Sequence, residues 1–166
     1  MGEKRHIVQD LGINYEGLFK LSELYLTIEH WLKERGYDKE ESKNHEQVLK
    51  TGKDIMVEFW GDKKFSDYAQ CKIKITIHAK NMKDIMVKKD GVEVPMNQGK
   101  IVVGLNGYLI TDYKAKWEGK PLFYFLRMAF DRWIYSVNTQ KFEAGVSEEV
   151  EHLYKTVKGH LNMYRY

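Results

Sequence analysis

The chain has one cysteine, Cys71, among 166 residues. That excludes an internal disulfide and a thiolate-rich zinc site, and it is in keeping with a reducing compartment. There are two prolines, Pro95 and Pro121, and neither sits in a linker-like stretch. A single domain over residues 1–166 is therefore expected. No apolar run approaches the roughly 18 residues of a spanning helix. The most apolar window, 121–137, is interrupted by Arg127, Asp131 and Arg132. The first ten residues are polar and mixed in charge, unlike a signal peptide. These absences predict a cytoplasmic protein with no membrane partner. An excess of one charge sign is also lacking. There are 27 basic and 24 acidic residues, and the two halves of the chain are alike. A basic tail or acidic arm is excluded, and the balance alone demands no nucleic-acid partner.

The common catalytic signatures are missing as well. There is no Gly-x-Ser-x-Gly, no phosphate-binding Gly-rich loop and no HExxH. Gly104-Leu105-Asn106-Gly107 has two glycines, but it lies in a strand pattern and opens no helix. Glu149 and His152 share a helix face, yet a di-metal bundle needs a second such pair. They read as exposed polar residues, and no metal or cofactor is expected. Cys71 falls on the apolar parity of a strand, where a buried thiol is inert.

What the sequence does contain is aromatic residues, 13% of the chain, and clear hydrophobic periodicities. Residues Arg5 to Tyr15 alternate as a strand. Leu18 to Arg35 reads as a helix with the stripe Leu21, Leu24, Tyr25, Ile28, Trp31 and Leu32, closed by Gly36. From Asn44 to Tyr113 the period is two. Cys71, Ile73, Ile75, Ile77 and Ala79 alternate with Lys72, Lys74, Thr76, His78 and Lys80, so one face is buried and the other wet. Asp90-Gly91 predicts a hairpin. A further strand is expected from Lys100 to Tyr113, where Gly104 and Gly107 suggest a bend, a bulge or a close approach. Pro121 to Tyr135 reads as a helix. Another stripe follows, Val146, Val150, Leu153, Val157 and Leu161. Ser147 is a plausible N-cap for it, unless one long helix runs through Gly145.

Strands grouped between helices predict an α+β fold. The expected form is a twisted antiparallel sheet of about five to six strands, packed against an N-terminal helix and C-terminal helices. This element order resembles the helix-grip arrangement of START and polyketide-cyclase-like domains. The chain also resembles uncharacterised small proteins from archaeal genomes in Gly17-Leu18-Phe19, Trp31 to Tyr37, Asn97-Gln98-Gly99 and Pro121-Leu122-Phe123-Tyr124. Neither resemblance implies an activity.

Two candidate sites follow. The segment Pro121 to Tyr135 carries Phe123, Tyr124, Phe125, Phe130, Trp133 and Tyr135, an apolar arc wider than one packing face uses. Sheet, a second subunit or an apolar small molecule could cover it. The primary expectation is thus a non-enzymatic binding or interaction domain. Trp31, Tyr108, Phe130 and Trp133 would line its pocket or interface, and Arg127 and Arg132 would anchor it. The alternative is electrostatic nucleic-acid binding through Lys72, Lys74, Lys80 and Lys88. It is weakened because the lysine strand itself carries no aromatic residue for stacking.

Overall fold

The computed structural model describes residues 3–111 and 135–164. Five strands and two helices follow one another in the described residues: β1 (Glu3–Phe19), α1 (Leu21–Glu34), β2 (Asp38–Leu49), β3 (Gly52–Lys64), β4 (Ala69–Lys89), β5 (Val92–Thr111) and α2 (Tyr135–Asn162). The strands form one sheet in the order β1-β5-β4-β3-β2. Every neighbouring pair is antiparallel. This is the α+β class that the strand and helix grouping predicts.

Alternation dictates which face the helices cover. Cys71, Ile73, Ile75, Ile77 and Ala79 of β4 are buried, as are Val57 and Phe59 of β3 and Ile101, Val103, Leu105 and Leu109 of β5. Onto this face α1 lays Leu24, Ile28, Trp31 and Leu32, and α2 lays Val146, Val150, Leu153, Val157 and Leu161. Burying each large aliphatic side chain contributes about 1.5–3 kcal/mol. The helices approach closely where the sheet has no side chain. A Cβ on Gly107 would lie 2.7 Å from Val150 Cγ2, and one on Gly61 would lie 2.7 Å from Leu32 Cδ2.

The expected turns are found where their chemistry requires them. Gly36 has φ +76°. Its N–H donates to the Lys33 carbonyl, and Tyr37 N–H donates to the Leu32 carbonyl at 2.8 Å. This is the Schellman closure of α1. Asp90 and Gly91 both have positive φ, the type I′ geometry that suits a two-residue hairpin.

Several boundaries differ from the periodicity reading. Leu18 and Phe19 close β1, paired with Gln98 and Asn97, so α1 begins at Leu21. Their apolar character serves the sheet rather than a helical stripe. β2 starts at Asp38, before the expected run from Asn44, because an exposed charged edge strand carries no alternation to detect. The hairpin strand and the Lys100 strand are one continuous β5. Ser147 caps nothing: α2 runs unbroken from Tyr135 through Gly145. The rest of the expected helix from Pro121 lies outside the described residues.

Candidate functional site: a cationic aromatic patch on the sheet face opposite the described helices

Both described helices pack on one side of the sheet. The other side is built by the alternate residues of the same strands, and the register aligns them in transverse rows. One row joins His6, Tyr108, Lys72 and Asp62 across β1, β5, β4 and β3. The next joins Asn106, Lys74, Trp60 and Glu40. A third holds Gly12, Gly104, Thr76 and Glu58, of which the first three are small and leave a low strip beside the aromatic rows.

The rings of these rows meet. His6 stacks on Tyr108 at 4.3 Å between centroids, and Trp60 lies 5.6 Å from Tyr108. Asn106 fixes the first ring. Its Oδ1 accepts from Asp10 N–H at 2.9 Å and lies 3.0 Å from His6 Nε2. Asp10, at φ +46°, sits in the irregular stretch of β1 that this contact anchors. Three ammonium groups surround one indole. Lys4, Lys72 and Lys74 place Nζ at 5.1, 5.1 and 5.5 Å from the Trp60 ring, and Lys4 also sits 4.1 Å from the Tyr108 ring. Cations over aromatic faces are mutually stabilising.

Carboxylates bound the patch on the β3 side. Lys74 pairs with Glu58 at 3.2 Å and Lys72 with Asp62 at 3.5 Å. Burial raises the Asp62 carboxyl from its ordinary value, with Lys72 pulling the other way. Asp62 Oδ1 is buried and forms no regular hydrogen bond, because the lysine sits at the limit of that distance.

The sequence-named residues separate into distinct places. Lys72, Lys74 and Lys80 share with Tyr108 the face opposite the described helices. Lys88 does not. The register shifts between Lys80 and Lys83, so the parity of β4 reverses beyond it. Trp31 lies on the opposite side of the sheet from Tyr108, stacked on Tyr37 at 5.4 Å, and its indole N–H donates to His152 Nδ1 at 2.8 Å. Trp31 and Tyr108 therefore belong to no common pocket. Arg127, Phe130, Arg132 and Trp133 lie outside the described residues. Lys4, His6 and Trp60, unnamed by the sequence reading, complete the patch. Trp60 was discoverable as a residue, since it opposes Val57 and Phe59 in parity, but its neighbours depended on strand order.

A second polar cluster lies between the helices and the sheet end. Glu149 is only 12% exposed, not the exposed polar residue its helix position suggested. It accepts from Tyr37 Oη at 3.1 Å and Arg35 Nη1 at 3.2 Å, and it pairs with Lys63 at 3.5 Å. Cys71 Sγ lies 3.4 Å from the same Tyr37 hydroxyl, and burial pushes its thiol up to about 11. A protonated buried thiol is a poor nucleophile. The cluster clamps α1, α2 and β3 together.

Among the described residues no group of His, Cys, Asp or Glu is arranged to hold a metal ion. No helix among them is long and apolar enough to cross a membrane. A cleft of about 280 Å³ opens between β1 and α2, lined by Gly12, Ile13, Asn14, Tyr15, Tyr154 and Lys158 among others. No family model, no curated protein and no solved structure matches the chain.

Proposed function

We propose that the protein is a non-enzymatic binding domain that takes single-stranded nucleic acid on the sheet face opposite the two described helices. The observation that carries this reading is the convergence of Trp60, Tyr108 and His6 with Lys4, Lys72 and Lys74 on one face. Single-strand binding needs a stacking surface for bases and cations for the backbone, side by side. Aromatics grouped on one sheet face meet the first need, and ammonium groups within about 6 Å of the rings meet the second. Lys80 and Lys100, paired across β4 and β5, extend the cationic path beyond the low strip. The acidic residues Glu40, Glu58 and Asp62 gather on the β3 side and give the face a polarity. The backbone would follow β1, β5 and β4, with base edges turned toward β3.

The competing reading, self-association or an apolar ligand at Pro121–Tyr135, rests on the sequence of that segment. The nucleic-acid reading is preferred because its parts are assembled on one surface.

The test is fluorescence anisotropy with a labelled uridine heptamer, titrated at several salt concentrations. Binding should weaken as salt rises, with a log–log slope of about −0.7 per phosphate contacted. Lys72→Gln with Lys74→Gln should flatten that slope by about 1.4. Trp60→Leu should cost about 1–3 kcal/mol of binding, the usual worth of one base–aromatic stack. Absence of binding at 20 mM salt (roughly the low-salt limit where phosphate contacts are strongest) overturns the proposal.

A further inference from the structure

We infer that Asp62 is a base-reading residue that favours guanine over uracil in the strand bound on this face. The inference rests on the single-strand reading and adds a specificity to it. Asp62 stands two residues beyond Trp60 on β3, so both project from the same face. Its side chain is 22% exposed, and Lys72 Nζ reaches its Oδ1 only at 3.5 Å. Oδ1 is otherwise without a hydrogen bond. A buried acceptor left in that condition costs free energy that a well-placed donor recovers.

Binding supplies both halves of an exchange. A phosphate draws Lys72 away from Asp62, which uncovers Oδ1. The carboxylate then needs donors, and it can only accept. Bases splayed on aromatic rings are read by hydrogen bonds to their Watson–Crick edges. Guanine presents two adjacent donors there, N1–H and the N2 amino group, which match the two carboxylate oxygens. Uracil presents one N–H between two carbonyl oxygens, and those oxygens would face the carboxylate. Adenine and cytosine each offer one amino group and fall between. Asp38 and Glu40 stand beside Asp62 across the β2–β3 register. They reinforce the preference for an edge rich in donors.

The experiment uses four fluorescein-labelled RNA heptamers, U7 and the variants with G, A or C at the central position, on the full chain at 50 mM salt (roughly the regime where few-contact binding is measurable). The guanine heptamer should bind about tenfold or more tighter than U7, the discrimination typical of a bidentate contact. Asp62→Asn should abolish that difference by weakening the guanine heptamer, while U7 binds as tightly as before or more tightly because its carbonyl oxygens no longer face a carboxylate. Equal binding of all four heptamers by the native chain overturns the inference. So does an Asp62→Asn variant that tightens every heptamer by the same factor and keeps the guanine preference, which would make Asp62 a mere neutraliser of Lys72. If no heptamer binds, the single-strand reading itself fails, and the two failures are thereby distinct.

Discussion

Gly107 is the position where the packing of α2 on the sheet can be tested with one carbon atom. A Cβ there would approach Val150 Cγ2 to 2.7 Å and Val146 Cγ1 to 2.9 Å. Both valines are fully buried on α2, so neither can swing into solvent. Overpacking of this kind costs about 1–3 kcal/mol. Replacing Gly by Ala within a strand also restricts the unfolded chain, which returns about 0.4–1 kcal/mol. Gly107→Ala should therefore destabilise by about 1–2 kcal/mol net. For a chain of this length that lowers Tm by about 2–8 °C. Gly104 provides the control, three residues away on the other face. Its Cβ would meet only Thr76 Cβ, at 4.0 Å. Gly104→Ala should leave stability unchanged or raise it by up to about 1 kcal/mol. Urea unfolding followed by circular dichroism measures both. Adding Val150→Ala to Gly107→Ala should give a cost smaller than the sum of the two single changes, since the two sites share one contact. A Gly107→Ala protein as stable as Gly104→Ala would refute the close seating of α2 on β5.

Three further outcomes are expected. Glu149→Ala removes the shared acceptor of Tyr37, Arg35 and Lys63 and should lower stability by about 1–3 kcal/mol. A denaturation midpoint within error of the native chain would show that the clamp contributes nothing. Cys71, whose thiol is raised to about 11 by burial, should resist thiol reagents at pH 8 and react only as the protein unfolds. Labelling at the rate of a free thiol would contradict its burial. His160 is held below its ordinary value by burial, with Glu23 opposing, and its Nδ1 lies 3.3 Å from Thr27 Oγ1. The native state thus binds fewer protons there than the unfolded chain, so stability should fall as pH drops through the unfolded histidine value near 6.5. His160→Gln should flatten Tm between pH 7.5 and about 5.5, above the range where carboxylates titrate.

How much of the fold was legible depended on whether one face of an element was buried. The α1 and α2 stripes and the β4 alternation are two-sided, and each puts its apolar residues in the core. Gly36 and Asp90-Gly91 were legible because positive φ restricts residue choice so strongly. β2 was half missed, since an edge strand such as Asp38–Leu49, mostly exposed among its described side chains, keeps its charges as protection against pairing. At Gly145 the periodicity left two readings open, a break or one long helix, and the helix is continuous. The helix passes through it because Phe65 packs beside the glycine, 3.4 Å from a built Cβ, and tertiary packing outweighs an intrinsic cost of about 1 kcal/mol.

The candidate site was the least legible part, for a reason that lies in topology. Lys72 and Lys74 were visible as a wet face, and that face lacked aromatics when β4 was considered alone. Stacking residues arrive from the strands on either side. Trp60 comes from β3, fourteen residues upstream of its partner Lys74, and Tyr108 comes from β5, thirty-six residues downstream of Lys72. Lys4 and His6 come from β1, which reaches the group only because β1 pairs with β5 rather than with its sequence neighbour β2. A one-residue slip in either register would send Trp60 or Tyr108 to the helix side, where Val57, Phe59 and Leu109 belong. The same hydrophobic pattern that fills the core therefore fixes the rings on the opposite face. Removing buried residues such as Phe59 should disturb the patch as well as the core, and weaker heptamer binding by a folded Phe59→Leu variant would report it.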